Sequence, residues 1–189
     1  MKEITDFRLE PLNEGRFIQT KLARFKYGGE SRSWELLEAS DSVAILIYHT
    51  NLDAFIFVKQ FRPAVYANGG TGETIELCAG IVDKDMPLEQ IASEEVYEEC
   101  GYSIEPQRLQ KVTTFYTSVG FAGSRQTLYY VEVDESDKVG YGGGVEHEDI
   151  EVVEVATEGI DGLLFDESIP KTPGLLFAVF WWREKKGKN

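Results

Sequence analysis

Glu95, Glu98 and Glu99 fall within the run Ile91-Ala92-Ser93-Glu94-Glu95-Val96-Tyr97-Glu98-Glu99-Cys100-Gly101. Leu88, Ile91, Ala92, Val96 and Cys100 recur at helical spacing and make one apolar stripe. At about 100° per residue, Glu95 and Glu99 project within that stripe and Glu98 just beside it. Helical glutamates ordinarily belong to a solvated face. On a face that the helix buries they must be protonated, paired with a cation or bound to a metal, because an unpaired buried charge is too costly. Three acidic oxygen donors on adjoining positions suit a hard divalent ion such as Mg²⁺.

The flanking sequence says what must position them. Asp85 is a candidate N-cap, Pro87 belongs to the first helical turn, and Gly101 is a C′ stop. Ahead of the helix, Val43–Tyr48 is a continuous apolar strand with a turn at Asn51–Asp53 and a hairpin partner at Phe55–Gln60. Arg62–Tyr66 closes that strand, Asn68–Gly72 is a loop, and Glu73–Leu77 is a short strand leading through Ala79-Gly80 into the helix. Behind it come strands at Arg108–Tyr116, Gln126–Val133 and Ile150–Ala156. The loop 134–149 contains Gly142-Gly143-Gly144 and ends on Glu146-His147-Glu148-Asp149; a loop that long is functional or disordered. Gly159–Phe165 reads as a short helix. Thr172-Pro173 caps a last helix, Gly174–Lys186, apolar until Arg183 and expected to be buried. At the front, Phe17–Phe25 and Ser33–Leu37 flank the turn Tyr27-Gly28-Gly29-Glu30 as a hairpin. The expected class is α+β, a mixed β-sheet sandwiched between helices. Residues 1–38 form an N-terminal β extension and 39–189 the main domain.

Composition narrows the partners. The 189 residues carry a formal charge of −14, with 19 Lys and Arg against 33 Asp and Glu, which argues against nucleic acid or an anionic membrane. An anionic substrate would need local help from metal ions and placed arginines, for which Arg62 and Arg125 are the candidates. Two cysteines are too few for a disulfide framework, and Cys100 on the helix stripe reads as core. The first residues do not read as a signal peptide, and the longest apolar runs fall far short of the roughly 20 residues that span a bilayer. The expectation is a soluble, cytoplasmic protein.

The stretch from Gly80 to Tyr102 resembles the Nudix box: Gly80, Glu95, Val96, Glu98, Glu99, Gly101 and Tyr102 fall in register with it. Met86 stands where that motif has its first glutamate and Glu94 where it has its arginine, two side chains thought to brace the helix as an ion pair. Beyond the box, Gln60–Tyr66, Glu76-Leu77-Cys78-Ala79-Gly80, Ser124–Thr127 and Glu146–Ile150 resemble the ADP-ribose and nucleotide-sugar branch, and most of all its UDP-sugar diphosphatases.

The resemblance implies a Nudix fold and Mg²⁺-dependent (or Mn²⁺-dependent) hydrolysis of the pyrophosphate bond of nucleoside diphosphate sugars such as UDP-glucose. It implies metal ligation by Glu95, Glu98, Glu99 and the Ala79 carbonyl, with Glu98 also counted among the catalytic groups. The general base it implies is Glu146, with Glu148 as runner-up. Arg62 and Arg125 would contact phosphate or sugar, and Glu76 the sugar hydroxyls or the metal shell. Trp34 and Phe121 could stack on the base, although core packing is the default for each. The branch also implies a homodimer in which the N-terminal hairpin crosses to the partner. The rivals are an ADP-ribose pyrophosphatase and, from another class, a catalytically silent nucleotide-binding domain.

Overall fold

The computed structural model describes residues 4–13, 15, 18–145 and 148–186. They form two compact units, residues 1–39 with 117–124, and residues 40–116 with 125–189.

The first unit is built on a hairpin of β1 (Gln19–Tyr27) and β2 (Glu30–Glu38). Gly28 and Gly29 turn it with φ of 61° and 88°, the left-handed pair that a two-residue hairpin loop requires. The segment 117–124 packs on β2: the Leu37 N–H donates to the Phe121 carbonyl and the Trp34 indole N–H to the Gly120 carbonyl.

The second unit holds β3 (Ser42–His49), β4 (Ala54–Phe61), α1 (Pro63–Ala67), β5 (Glu73–Glu76), β6 (Cys78–Ile81) and α2 (Leu88–Cys100). There follow β7 (Gln110–Tyr116), β8 (Arg125–Val133), β9 (Ile150–Ala156), α3 (Ile160–Phe165) and α4 (Pro173–Lys186). β3 runs parallel to β8 along one edge; the other ladders are antiparallel. The second edge of β3 is shared, pairing with β6 over residues 42–45 and with β4 over residues 47–49. That change of partner brings β6 beside α2.

β3 is apolar without alternation because both of its faces are covered. Val43, Ile45 and Ile47 join Ile91, Val96 and Cys100 of α2 in one core cluster. Ala44, Leu46 and Tyr48 join Leu163 of α3 and Leu175, Ala178 and Val179 of α4 in another. β4 and β8 divide their side chains in the same way, so the sheet lies between helices as expected.

Three local expectations need correction. α2 begins at Leu88, with Pro87 as an N-cap that makes no side-chain bond, and Asp85 lies outside it. The proline disfavours helical geometry at Met86, which delays the start. Arg62–Tyr66 does not end a strand but opens α1, since Pro63 lacks the N–H a ladder needs and its φ suits a first helical turn. α4 is buried only on one side, through Leu175, Ala178 and Val179, and leaves Phe177 and Phe180 about half exposed. Thr172 does cap it, its hydroxyl accepting from the Leu175 N–H.

Candidate active site

β6 and α2 together make the site. The Ala79 N–H donates to Glu99 Oε2 at 2.9 Å. One residue on, Gly80 lies against Glu95 so closely that a β-carbon there would occupy the space of the carboxylate. Glu99 is 4% exposed, and its carboxyl is pushed up to about 8, first by burial. The Ala79 N–H and the Cys78 thiol oppose that rise, while the charges of Glu95 and Glu148 add to it. Glu95 is pushed up to about 7, again first by burial, then by Glu98 and Glu148, with Lys84 opposing.

These are carboxylates that repel one another with little cationic relief. Their donors are hard oxygens, the type a divalent cation takes. Among the described residues no group of three or more His, Cys, Asp or Glu side chains is gathered so that it could hold a metal ion. Glu95, Glu98 and Glu99 are helix neighbours, and Ala79 meets Glu99 through its N–H.

Glu146 and His147 lie outside the described residues. Glu148 does not: it repels both Glu95 and Glu99, and its charge is also felt by Arg62. Its own Oε2 accepts from the Val145 N–H at 3.0 Å.

Arg62 was expected as a cation for substrate. Its Nε and Nη2 bind Glu76 bidentately at 2.7 and 2.8 Å, and the Thr74 hydroxyl donates to the same Glu76 Oε1. Glu76 is therefore the buried anchor that orients the guanidinium, whose charge also reaches Glu99 and Glu148. Arg125 is also engaged by a carboxylate. Its Nε and Nη2 both bind Asp41 Oδ2, at 2.9 and 2.7 Å, and its backbone N–H binds Asp41 Oδ1 at 2.8 Å, so one edge of its fork is already taken. Trp34 and Phe121 belong to the first unit; Phe121 is half exposed and Trp34 is held by Gly120. Cys78 and Cys100 are free and fully buried, and burial pushes the Cys78 thiol up, the condition of a core cysteine.

The two departures from the box have a joint explanation. Met86 packs against the core cluster under α2, and Glu94 is not stranded: Lys84 Nζ reaches its Oε2 at 2.7 Å. A tie between the β6–α2 loop and the helix is therefore present, with the acid on the helix and the base on the loop. Sequence reasoning missed Lys84, Thr74 and Asp41. Lys84 alone left a trace, as the one basic residue in the acidic stretch before α2.

No family model matches the sequence. The uridine diphosphate glucose pyrophosphatase of Bos taurus is 35% identical over 209 aligned positions, covering 93% of this chain and 94% of that protein. The Mus musculus enzyme of the same name is 35% identical over 88% of each. A GDP-mannose pyrophosphatase of Cronobacter sakazakii is 36% identical over 64% of this chain and 62% of its own. Among solved structures, an ADP compounds hydrolase superposes with a TM-score of 0.73 over 95% of this chain and 94% of its own, at 17% identity.

Proposed function

Because the chain belongs to the nucleotide-sugar pyrophosphatase branch of the Nudix hydrolases, we propose that it cleaves the pyrophosphate bond of nucleoside diphosphate sugars, UDP-glucose first among them. The observation that supports this most directly is the pair Glu95 and Glu99, held against Ala79-Gly80 with raised pKa values and no cation paired to either among the described residues.

In this reading Glu95, Glu98, Glu99 and the Ala79 carbonyl would hold Mg²⁺, which would supply charge neutralisation to phosphate oxygens and a lowered pKa to water. Arg62, fixed by Glu76 and Thr74, offers the diphosphate its remaining edge. Glu148, whose charge bears on Glu95 and Glu99, takes the proton of the attacking water in this reading; the resemblance places Glu146 first and Glu148 second for that role. The water oxygen bonds to one phosphorus, the bridging P–O bond breaks, and the products are UMP and glucose 1-phosphate. Arg125 serves substrate with the part of its fork that Asp41 leaves.

Residues 1–38 act as the dimerisation segment, supported by exposed Phe25, Tyr27 and Trp34 on a two-stranded hairpin, a unit that is marginal by itself. A monomeric mass in sedimentation equilibrium contradicts that assignment. We also assign it to the cytoplasm, a reading that two free cysteines support. Among the described residues no helix is long and apolar enough to cross a membrane.

The test is initial rates on UDP-glucose and ADP-ribose in parallel with Mg²⁺, and again with EDTA. The proposal expects a higher kcat/KM on UDP-glucose and loss of both activities in EDTA. A higher value on ADP-ribose moves the substrate, and no Mg²⁺-dependent turnover on either refutes the hydrolase reading.

A further inference from the structure

α2 ends in an electrostatically adverse way. Its last turn carries Glu98 and Glu99 and no basic residue, although the carbonyls there are the negative end of the helix dipole. Those carbonyls must also find donors. Gly101, with φ of 73°, supplies its own N–H to Tyr97, and Tyr102 bonds to Val96. The remaining donors come from the long loop. Lys138 Nζ reaches the Cys100 carbonyl at 2.9 Å, with its ammonium 4.2 Å from the centre of the Tyr102 ring. The Val139 N–H bonds to Gly101, the Gly143 N–H to the Glu99 carbonyl at 2.9 Å, and the Gly144 N–H to the Glu98 carbonyl at 3.0 Å.

This seat admits only glycine. Gly142, Gly143 and Gly144 have φ of 71°, 112° and 81°. A β-carbon on Gly142 would run into the Glu99 carbonyl, and one on Gly101 would run into the backbone of Gly140 and Gly142. A β-carbon on Gly144 would meet the side chain of Glu148. Glu98 and Glu99 therefore work at both ends: their side chains serve the carboxylate site and their carbonyls hold the loop that carries Glu148.

We propose that Gly142, Gly143 and Gly144 are positioning residues that fix Glu148 relative to Glu95 and Glu99 by clamping the loop to the C-terminal carbonyls of α2. The glycines touch no reacting atom; they set a distance. The proposal rests on the hydrolase reading for its kinetic consequence but not for the clamp itself.

The test compares Gly142→Ala and Gly143→Ala with Gly140→Ala. Gly140 lies in the same loop with no positive φ, and a β-carbon there would meet open space. For the first two, kcat is expected to fall roughly 10- to 10²-fold, the scale of a misplacement of about 1 Å, with KM within about threefold. Binding of Mn²⁺ alone, read by electron paramagnetic resonance, is expected to stay unchanged, and Gly140→Ala to match wild type. Hydrogen exchange reads the clamp without turnover: the Gly143 and Gly144 amides should be protected in wild type and lose protection in Gly142→Ala. Should the glycine variants not fold, Lys138→Met loosens the same seat without backbone strain and should lower kcat at unchanged Mn²⁺ affinity. Equal kcat in all three glycine variants overturns the proposal, as does a parallel loss of Mn²⁺ affinity. Unprotected Gly143 and Gly144 amides in wild type overturn the clamp. An inactive wild type with protected amides refutes the hydrolase reading and leaves the clamp standing.

Discussion

Gly80 and Glu95 occupy adjoining space: a β-carbon on the glycine would lie inside the glutamate carboxylate. The glycine is required there by close approach, since its φ lies outside the left-handed region. Gly80→Ala should therefore fold and still displace Glu95. A fall in kcat/KM of at least 10²-fold with little change in Tm is expected from steady-state kinetics and thermal melts; near wild-type kinetics would show that Glu95 does not need its present place.

Glu99→Gln separates the cost of the buried carboxylate from its use. The amide oxygen can still accept from the Ala79 N–H, and the group no longer carries the charge that burial penalises. In EDTA at pH 8 the variant should melt no lower than wild type, while its Mg²⁺-dependent kcat falls by orders of magnitude. Turnover close to wild type would remove Glu99 from the metal ligands.

The raised carboxyls also set a pH dependence. Unfolded glutamates titrate near 4.5, whereas Glu95 and Glu99 titrate at about 7 and about 8 in the folded chain. Between those values the folded state binds more protons than the unfolded one, so this part of the stability is present at low pH and is lost as pH rises toward 8. Asp41 and Asp137, held below the usual range by Arg125 and Arg108, act with the opposite sign and only below about pH 4. Melts in EDTA should therefore show Tm falling from pH 5 to pH 8.5. Mg²⁺ should raise Tm more at pH 8.5 than at pH 5, because it binds the deprotonated ligands. A Tm that rises over that window in EDTA would contradict the assignment.

How much of this was legible in the sequence varied with the range of the interaction. The helix and its carboxylates were readable because a 3.6-residue period exposes polar intruders on an apolar stripe. The both-faces burial of β3 was readable from its unbroken apolar run. Asp41 was not, because nothing local ties it to Arg125, which is 84 positions away. The occupation of Arg62 by Glu76 was hidden for the same reason: two strands must pair before the side chains meet. In sequence Pro87 reads as part of a helical turn and Pro63 as part of a strand's end; where α2 and α1 begin is decided by how each proline restricts the backbone around it.

The Lys84–Glu94 pair gives a charge-reversal prediction. Glu94→Arg should lower kcat by repelling Lys84 from the helix, and Lys84→Glu combined with Glu94→Arg should recover most of it by restoring an attractive pair. Additive losses in the double variant would show that the two residues act independently.

The loop glutamates can be separated by matched amides. Glu148→Gln should cost roughly 10²–10⁴-fold in kcat as expected for a lost general base, with Mn²⁺ binding retained. A comparable loss from Glu146→Gln, with Glu148→Gln near wild type, would reassign the base.

The central claim is cleavage between the two phosphorus atoms, and ³¹P nuclear magnetic resonance of UDP-glucose incubated with the protein and Mg²⁺ tests it most directly. The account predicts replacement of both diphosphate signals by two phosphomonoester signals, UMP and glucose 1-phosphate, with none in EDTA. Appearance of UDP, its diphosphate intact, would place the broken bond at the sugar and contradict the account.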